Sequence, residues 1–406
     1  MLIGADSVQA TFVINYKKQS FRMSRQHMVS QTDKNSNQPE RVLLVGVLFA
    51  DSFRGNAEMR QALFQAALAE TRDLVAAGDG EVVDVAVCNR DKPHPALFVG
   101  TGKAEELAEQ VAELKVDLVV FNHGLSPTQE RSLEKILQCR VLDRVGLILA
   151  IFAQRAQSQE GKLQVELAQL THLAGRLVRG YGHLQSQKGG IGMKGPGETQ
   201  LETDRRKIRQ KITALKKQLN EVQKQRATRR KARQNSGIKT FALVGYTNAG
   251  KSSLFNRLTK SDVLAKDQLF ATLDPTARRL YLNEQTSILL TDTVGFVRDL
   301  PHTLVAAFAA TLEETALADV LLHIVDANHP DYLRQIDDVN TVLTEIYADH
   351  IPQLLVYNKI DRLPESERIA GILSDNGNKP AAVRISVTEN MGLTALREAM
   401  IVWAND

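Results

Sequence analysis

The feature that most constrains this chain is a glycine-framed loop directly behind an apolar run. Thr240-Phe-Ala-Leu-Val244 leads into Gly245-Tyr246-Thr247-Asn248-Ala249-Gly250-Lys251-Ser252, which fits G-x-x-x-x-G-K-[ST]. Such a loop works only where a buried strand hands the chain to the start of a helix. Its glycines let backbone N–H groups turn onto phosphate oxygens, and the helix adds its positive end. In this reading Lys251 reaches the β- and γ-phosphates of a nucleoside triphosphate and Ser252 reaches a Mg2+ ion.

Further apolar runs at Ser287–Leu290, Val320–Val325, Leu354–Val356 and Val383–Ser386 alternate with helical segments, so 237–406 reads as a doubly wound α/β domain. Asn358-Lys359-Ile360-Asp361 follows the run ending at Tyr357 and falls at the carboxyl edge of the sheet, where ligands bind. A carboxylate at Asp361 accepts two hydrogen bonds from N1–H and N2–H2 of guanine, donors that adenine lacks there. The Lys359 stem lies along the base. Asp292-Thr293-Val294-Gly295 supplies a carboxylate that holds metal through water and, at Gly295, an N–H for the γ-phosphate. Thr272, in Leu269-Phe270-Ala271-Thr272-Leu273-Asp274, is the second hydroxyl for Mg2+, in a loop whose closure depends on the γ-phosphate. Arg384-Ile385-Ser386-Val387 closes over the base. Lys251, Thr272 and Gly295 form the catalytic set.

Residues 41–154 form a second α/β unit. Arg41–Leu48, Val82–Val87 and Val116–Phe121 read as parallel strands buried on both faces, with helical periodicity over 57–77, 103–115 and 126–138. Between the two units, 155–236 is rich in Gln, Lys, Arg and Leu. Leu163, Leu167, Leu170, Ala174 and Leu177 mark one helix face, and Ile208, Ile212, Leu215, Leu219 and Val222 a second. Seven glycines between Gly180 and Gly197 make the connection a long glycine-rich loop, and Thr199 or Thr203 is expected to cap the second helix. Only two heptads are present, which favours packing within the chain over dimerisation, so a monomer is expected.

Charge is concentrated in this middle part. Arg205–Arg233 holds thirteen Lys and Arg against one acid, Glu221, a local +12 in a chain of net +4 whose remainder is therefore −8. That asymmetry calls for a polyanion, and RNA is the candidate. The expected contacts are Lys188 and Lys194 in the loop, then Arg205, Arg206, Lys207, Arg209, Lys211, Lys216, Lys217, Arg229, Arg230 and Lys231.

The ordered elements of 237–406 resemble the GTPase domain of the translation-factor class. One position departs from the small signalling GTPases, which place glutamine after the glycine of D-x-x-G; here it is Phe296, which cannot orient water. Slow intrinsic hydrolysis, accelerated by a partner, is the expectation. Gly195-Pro-Gly-Glu-Thr-Gln-Leu-Glu-Thr-Asp-Arg-Arg206, with Lys188-Gly-Gly-Ile-Gly192 before it, resembles the signature of the HflX family of ribosome-associated GTPases. Phe98-Val-Gly-Thr-Gly-Lys-Ala-Glu-Glu-Leu107 and Phe241–Ser252 do so as well, and the likeness spans about 41–406. The resemblance implies a Mg2+-dependent GTPase that binds the large ribosomal subunit and its RNA and separates ribosomal subunits.

Other features exclude or leave open. Residues 1–40 read as a loose polar tail, with Met23 or Met28 as alternative starts. No run approaches the ~18 apolar residues of a membrane span. Two cysteines, Cys88 and Cys139, are too few for a disulfide framework and point to a reducing, cytoplasmic setting. His94, His123, His172 and His183 show no metal spacing, and Trp403 reads as packing. Gly100-Thr-Gly-Lys103 is read as a strand-to-helix turn, with a second, adenine-nucleotide site as the alternative. Two other functions stay open beside ribosome separation: a large-subunit assembly GTPase and an ATP-driven RNA-remodelling enzyme.

Overall fold

The computed structural model describes residues 39–50, 57–179, 196–234, 237–260, 269–270, 273–274, 276–298, 309–374 and 379–406. The tail, the glycine-rich loop with Lys188 and Lys194, and Ala271 and Thr272 lie outside the described residues. Glu40–Asp406 forms one compact unit.

The N-terminal sheet contains β1 (Glu40–Phe49), β2 (Gly80–Arg90), β3 (Leu118–Phe121) and β4 (Arg140–Leu142), all parallel in the order β2-β1-β3-β4. Its helices are α1 (Ala57–Ala77), α2 (Thr101–Glu113), α3 (Pro127–Leu137) and α4 (Arg144–Arg155). The continuous apolar run of β1 is explained by cover on both faces. Val42 and Leu44 pack with Phe64, Leu68 and Ile148 on one side. Leu43, Val45 and Val47 pack with Leu107, Val111 and Leu133 on the other. The expectation that Val82–Val87 is likewise buried on both faces is corrected: β2 lies at the sheet edge, only Ala86 is fully buried, and Val87 is exposed. Strand composition reports β-propensity, which edge and centre share. Helix α3 starts with Pro127 behind a capping box, in which Ser126 and Gln129 each take the other's backbone N–H.

Helix α4 is capped by Asp143, which accepts from the Gly146 N–H at 2.7 Å. It leads into α5 (Gln159–Arg179) and, past the loop, α6 (Pro196–Gln234). α6 already begins at Pro196, so Thr199 and Thr203 lie inside the helix and do not cap it, a correction to the expected start. Proline is tolerated in a first turn because its missing N–H has no helical partner there. The apolar step of α6 turns inward at Leu215 and Leu219. On α5 the fully buried side chains include Val165 and Ala168, which join the N-terminal core, whereas Leu163 and Leu167 are half-buried.

The C-terminal sheet comprises β5 (Thr240–Gly245), β6 (Thr276–Tyr281), β7 (Ser287–Asp292), β8 (Val320–Asp326), β9 (Gln353–Asn358), β10 (Gly371–Ser374) and β11 (Pro380–Arg384). The order is β10-β11-β9-β8-β5-β7-β6, parallel except for β6 and β10, which pair antiparallel at the two edges. Neither edge strand stands out as a strand in the sequence. Helices α7 (Lys251–Thr259), α8 (Ala309–Ala316), α9 (Tyr332–Glu345) and α10 (Leu393–Asn405) complete the domain. Trp403 packs in its core and donates Nε1–H to the Pro380 carbonyl at 3.0 Å.

Candidate nucleotide site

The loop Gly245–Gly250 leaves the carboxyl end of β5 and opens α7. Two of its glycines have no substitute. Gly245 has φ 143°, and a Cβ there would lie 2.2 Å from the Ile324 carbonyl oxygen. Gly250 has φ 98°, and its Cβ would lie 2.2 Å from Asn358 Nδ2. Lys251 curls over the loop, donating to the carbonyls of Gly245 (3.0 Å) and Tyr246 (2.7 Å). Burial pushes its ammonium down to about 8. That environment favours an anion beside Nζ.

The Asp292–Gly295 segment lies beside this loop. Ser252 Oγ donates to Asp292 Oδ2 at 2.8 Å, and Thr293 is held by Oγ1–H to the Leu243 carbonyl. A hydroxyl and a carboxylate side by side are hard oxygen donors of the kind Mg2+ takes, so these residues fit that ion. A Cβ on Gly295 would lie 2.7 Å from Thr247 Cγ2 and 3.0 Å from Lys251 Nζ, which places the glycine at the lysine's end of the loop. Phe296 is buried, its N–H on the Gly245 carbonyl (3.2 Å) and its carbonyl accepting the Thr247 N–H (2.6 Å). Among the described residues no cluster of three or more His, Cys, Asp or Glu forms a separate metal site.

At the base end, Asn358 acts as a tie between loops. Its Nδ2 donates to the Ala249 carbonyl at 2.9 Å and its Oδ1 accepts the Val387 N–H at 3.2 Å. Lys359 adopts φ 65° and pairs with Asp326 at 2.7 Å. Asp361 Oδ1 is buried and accepts no hydrogen bond within the protein. The Ile385 N–H bonds to the Tyr357 carbonyl, while the Ser386 and Met391 backbones bond reciprocally and bring Ser386 and Val387 alongside. Arg384 ends β11 on the same edge.

The sequence offered no signal for the residues that bind this site to the N-terminal unit. Glu70 of α1 accepts from Tyr246 Oη at 2.9 Å and from the Arg298 N–H at 3.2 Å. Arg144 of α4 lies 3.3 Å from the same carboxylate and donates to the Arg298 carbonyl at 3.0 Å. Burial, with the Glu70 charge, pushes the Tyr246 hydroxyl far up. Phe270 meets Phe152 edge-on at 4.6 Å between centroids. Asp274 accepts the N–H groups of Gln157 (2.9 Å) and Ser158 (2.7 Å) just before α5.

The basic residues separate into groups. Arg206, Lys207, Arg209, Lys216 and Lys217 are exposed on α6, and Arg205, Arg206 and Arg209 line one groove with Glu202, Gln210 and Thr213. Lys211 is paired with Glu166 of α5 at 2.6 Å. Arg229, Arg230 and Lys231 lie on the α6 backbone, with side chains outside the description. Gly100–Lys103 is the start of α2, and Lys103 pairs with Glu106. No described helix is long and apolar enough to cross a membrane.

A phosphate loop, a hydroxyl–carboxylate pair and the Asn358–Asp361 motif on one sheet edge are the parts of a GTP-hydrolysing P-loop protein. Comparison with family models matches 65–153 to "GTP-binding GTPase N-terminal", 155–233 to "GTP-binding GTPase Middle Region" and 240–359 to "50S ribosome-binding GTPase". GTPase HflX of Escherichia coli K12 is 54% identical over 333 residues, covering 82% of this chain and 78% of the relative. The Alkalihalophilus pseudofirmus GTPase HflX is 50% identical over 299 residues, 74% and 71% of the two chains. The chain belongs to the HflX GTPase family. A GTP-binding protein of Sulfolobus solfataricus, solved with GDP, is similar at 22% identity and TM-score 0.48, covering 90% of this chain and 99% of that one.

Proposed function

We propose that this GTPase associates with the large ribosomal subunit and promotes dissociation or recycling of ribosomes in a GTP-dependent cycle. The observation that carries the reading is the pair of hydrogen bonds that the Gln157 and Ser158 N–H groups donate to Asp274. The loop expected to close on the γ-phosphate is thereby tied to the first turn of the hairpin that holds the +12 segment. Ser252 and Thr272, with Asp292 through water, would hold Mg2+, which supplies charge neutralisation on the phosphates. Lys251 and the Gly295 N–H orient the γ-phosphate, and Asp361 selects guanine. The exposed cations of α6, together with Lys188 and Lys194, are the RNA-facing set, in a monomer acting in the cytoplasm. Each phosphate neutralised adds roughly one unit to the salt dependence of binding. The family description "50S ribosome-binding GTPase" over 240–359 agrees with that partner.

The test is GTP hydrolysis by the full chain, alone and with isolated large subunits, with light scattering from intact ribosomes in the same buffer. Stimulated hydrolysis with scattering that falls in GTP but not in GDP is the expected result. Stimulation with ribosomes left whole would favour a large-subunit assembly role. No stimulation would remove the ribosome as partner.

A further inference from the structure

Phe296 leaves one task unassigned. Its ring is 2% exposed and packs with Tyr246, Leu312 and Leu321, so it has neither the chemistry nor the freedom to hold water against the γ-phosphate. Thr247 lies on the opposite side of the same backbone pairing and is only 7% exposed. Its methyl and Cα lie 2.7 and 3.0 Å from the point a Gly295 Cβ would occupy, and Lys251 Nζ lies 3.0 Å from that point. Thr247 thus converges with the lysine and the glycine that flank the γ-phosphate. Its hydroxyl, on the same Cβ as that methyl, is shielded from solvent and has no partner in the protein.

A valine has the same shape and would fill this position without stranding a polar atom, whereas the hydroxyl leaves a hydrogen-bonding group free for a partner from outside the chain. Among the described residues two other buried threonine hydroxyls, those of Thr291 and Thr315, also lack a partner, but they lie on β7 and α8 and not on the phosphate loop. Thr293 is already committed to the Leu243 carbonyl.

We propose that the Thr247 hydroxyl positions the attacking water, accepting a hydrogen bond from it and donating one to a γ-phosphate oxygen. The water oxygen bonds to the γ-phosphorus as the bond to the β–γ bridging oxygen breaks. The electron pair stays on GDP, the water proton leaves with inorganic phosphate, and the threonine is unchanged. The inference concerns intrinsic hydrolysis and stands apart from the ribosome reading, since it needs no RNA.

Thr247→Val and Thr247→Ser in the full chain, without ribosomes, test it. Thr247→Val is expected to lower kcat by about tenfold or more while KM and GDP affinity stay within about twofold. Thr247→Ser, which restores the hydroxyl, is expected to keep kcat within about threefold of the parent. A Thr247→Val protein that turns over within about twofold of the parent overturns the proposal. So does a parallel loss of kcat and GDP affinity in both variants, since that is the signature of packing.

Discussion

Glu70 is the residue whose replacement bears most directly on how the two α/β units are joined. One of its oxygens receives Tyr246 Oη, the Arg298 N–H and the Arg144 guanidinium at 2.9, 3.2 and 3.3 Å, and Arg144 holds the Arg298 carbonyl as well. The two side chains therefore grip both polar groups of one backbone position, three residues past Gly295. Glu70→Gln keeps the shape and strands the buried Arg144 charge, which costs about 3–5 kcal/mol. Tyr246→Phe deletes one hydrogen bond to a charged acceptor, about 1.5–3 kcal/mol. Because Glu70→Gln makes that acceptor neutral and Tyr246→Phe removes its donor, both act on the same bond, and the double variant should lose less than their sum by about 0.5 kcal/mol or more. The assay is urea unfolding followed by the fluorescence of Trp403, the only tryptophan of the chain, in the last helix of the GTPase domain. Urea slopes must be equal across the four proteins for the comparison to hold. Additivity within about 0.3 kcal/mol would refute the shared contact and with it the junction described above.

Two further outcomes test the nucleotide site. Asp361→Asn should weaken guanine binding by about 2–3 kcal/mol and shift preference toward xanthine, read by competition for a fluorescent nucleotide; unchanged guanine selectivity would dismiss the assignment. Lys251, with its ammonium lowered to about 8, should make nucleotide binding proton-linked. From there to the free-lysine value the folded protein binds fewer protons than the unfolded one, so stability without nucleotide rises with pH across that window. Phosphate beside Nζ restores the charge, so binding near pH 9 should take up as much as one proton. Calorimetry in two buffers of different ionisation enthalpy measures the uptake, and none at all would contradict the buried lysine.

What was legible and what was not follows from distance along the chain. The phosphate loop, its strand and its helix are eight consecutive residues and their flanks, and the structure places Lys251, Ser252, Asp292 and Gly295 together as those motifs imply. Asn358 was legible as a site residue, but its work is tying the loop at Ala249 to Val387. The edge position of β2 was hidden because a valine-rich strand reads alike at the edge and the centre. The start of α6 was hidden because two threonines near a helix end look like caps until the backbone shows the helix already running.

By itself the sequence determined a phosphate loop behind an apolar strand, a helix rich in arginine and lysine over Arg205–Arg233, and the absence of the usual glutamine at Phe296. Only the tertiary structure decided what those parts rest against. Val294 and Val297 share a core with Leu147, Ile151 and Phe152, and Glu70 meets Tyr246 across 176 residues of sequence. The physical reason is that apolar periodicity marks a face for burial without naming its partner, because the hydrophobic effect has no direction. A phosphate loop is written in neighbouring residues, whereas a contact between units exists only once both have folded and their faces have met.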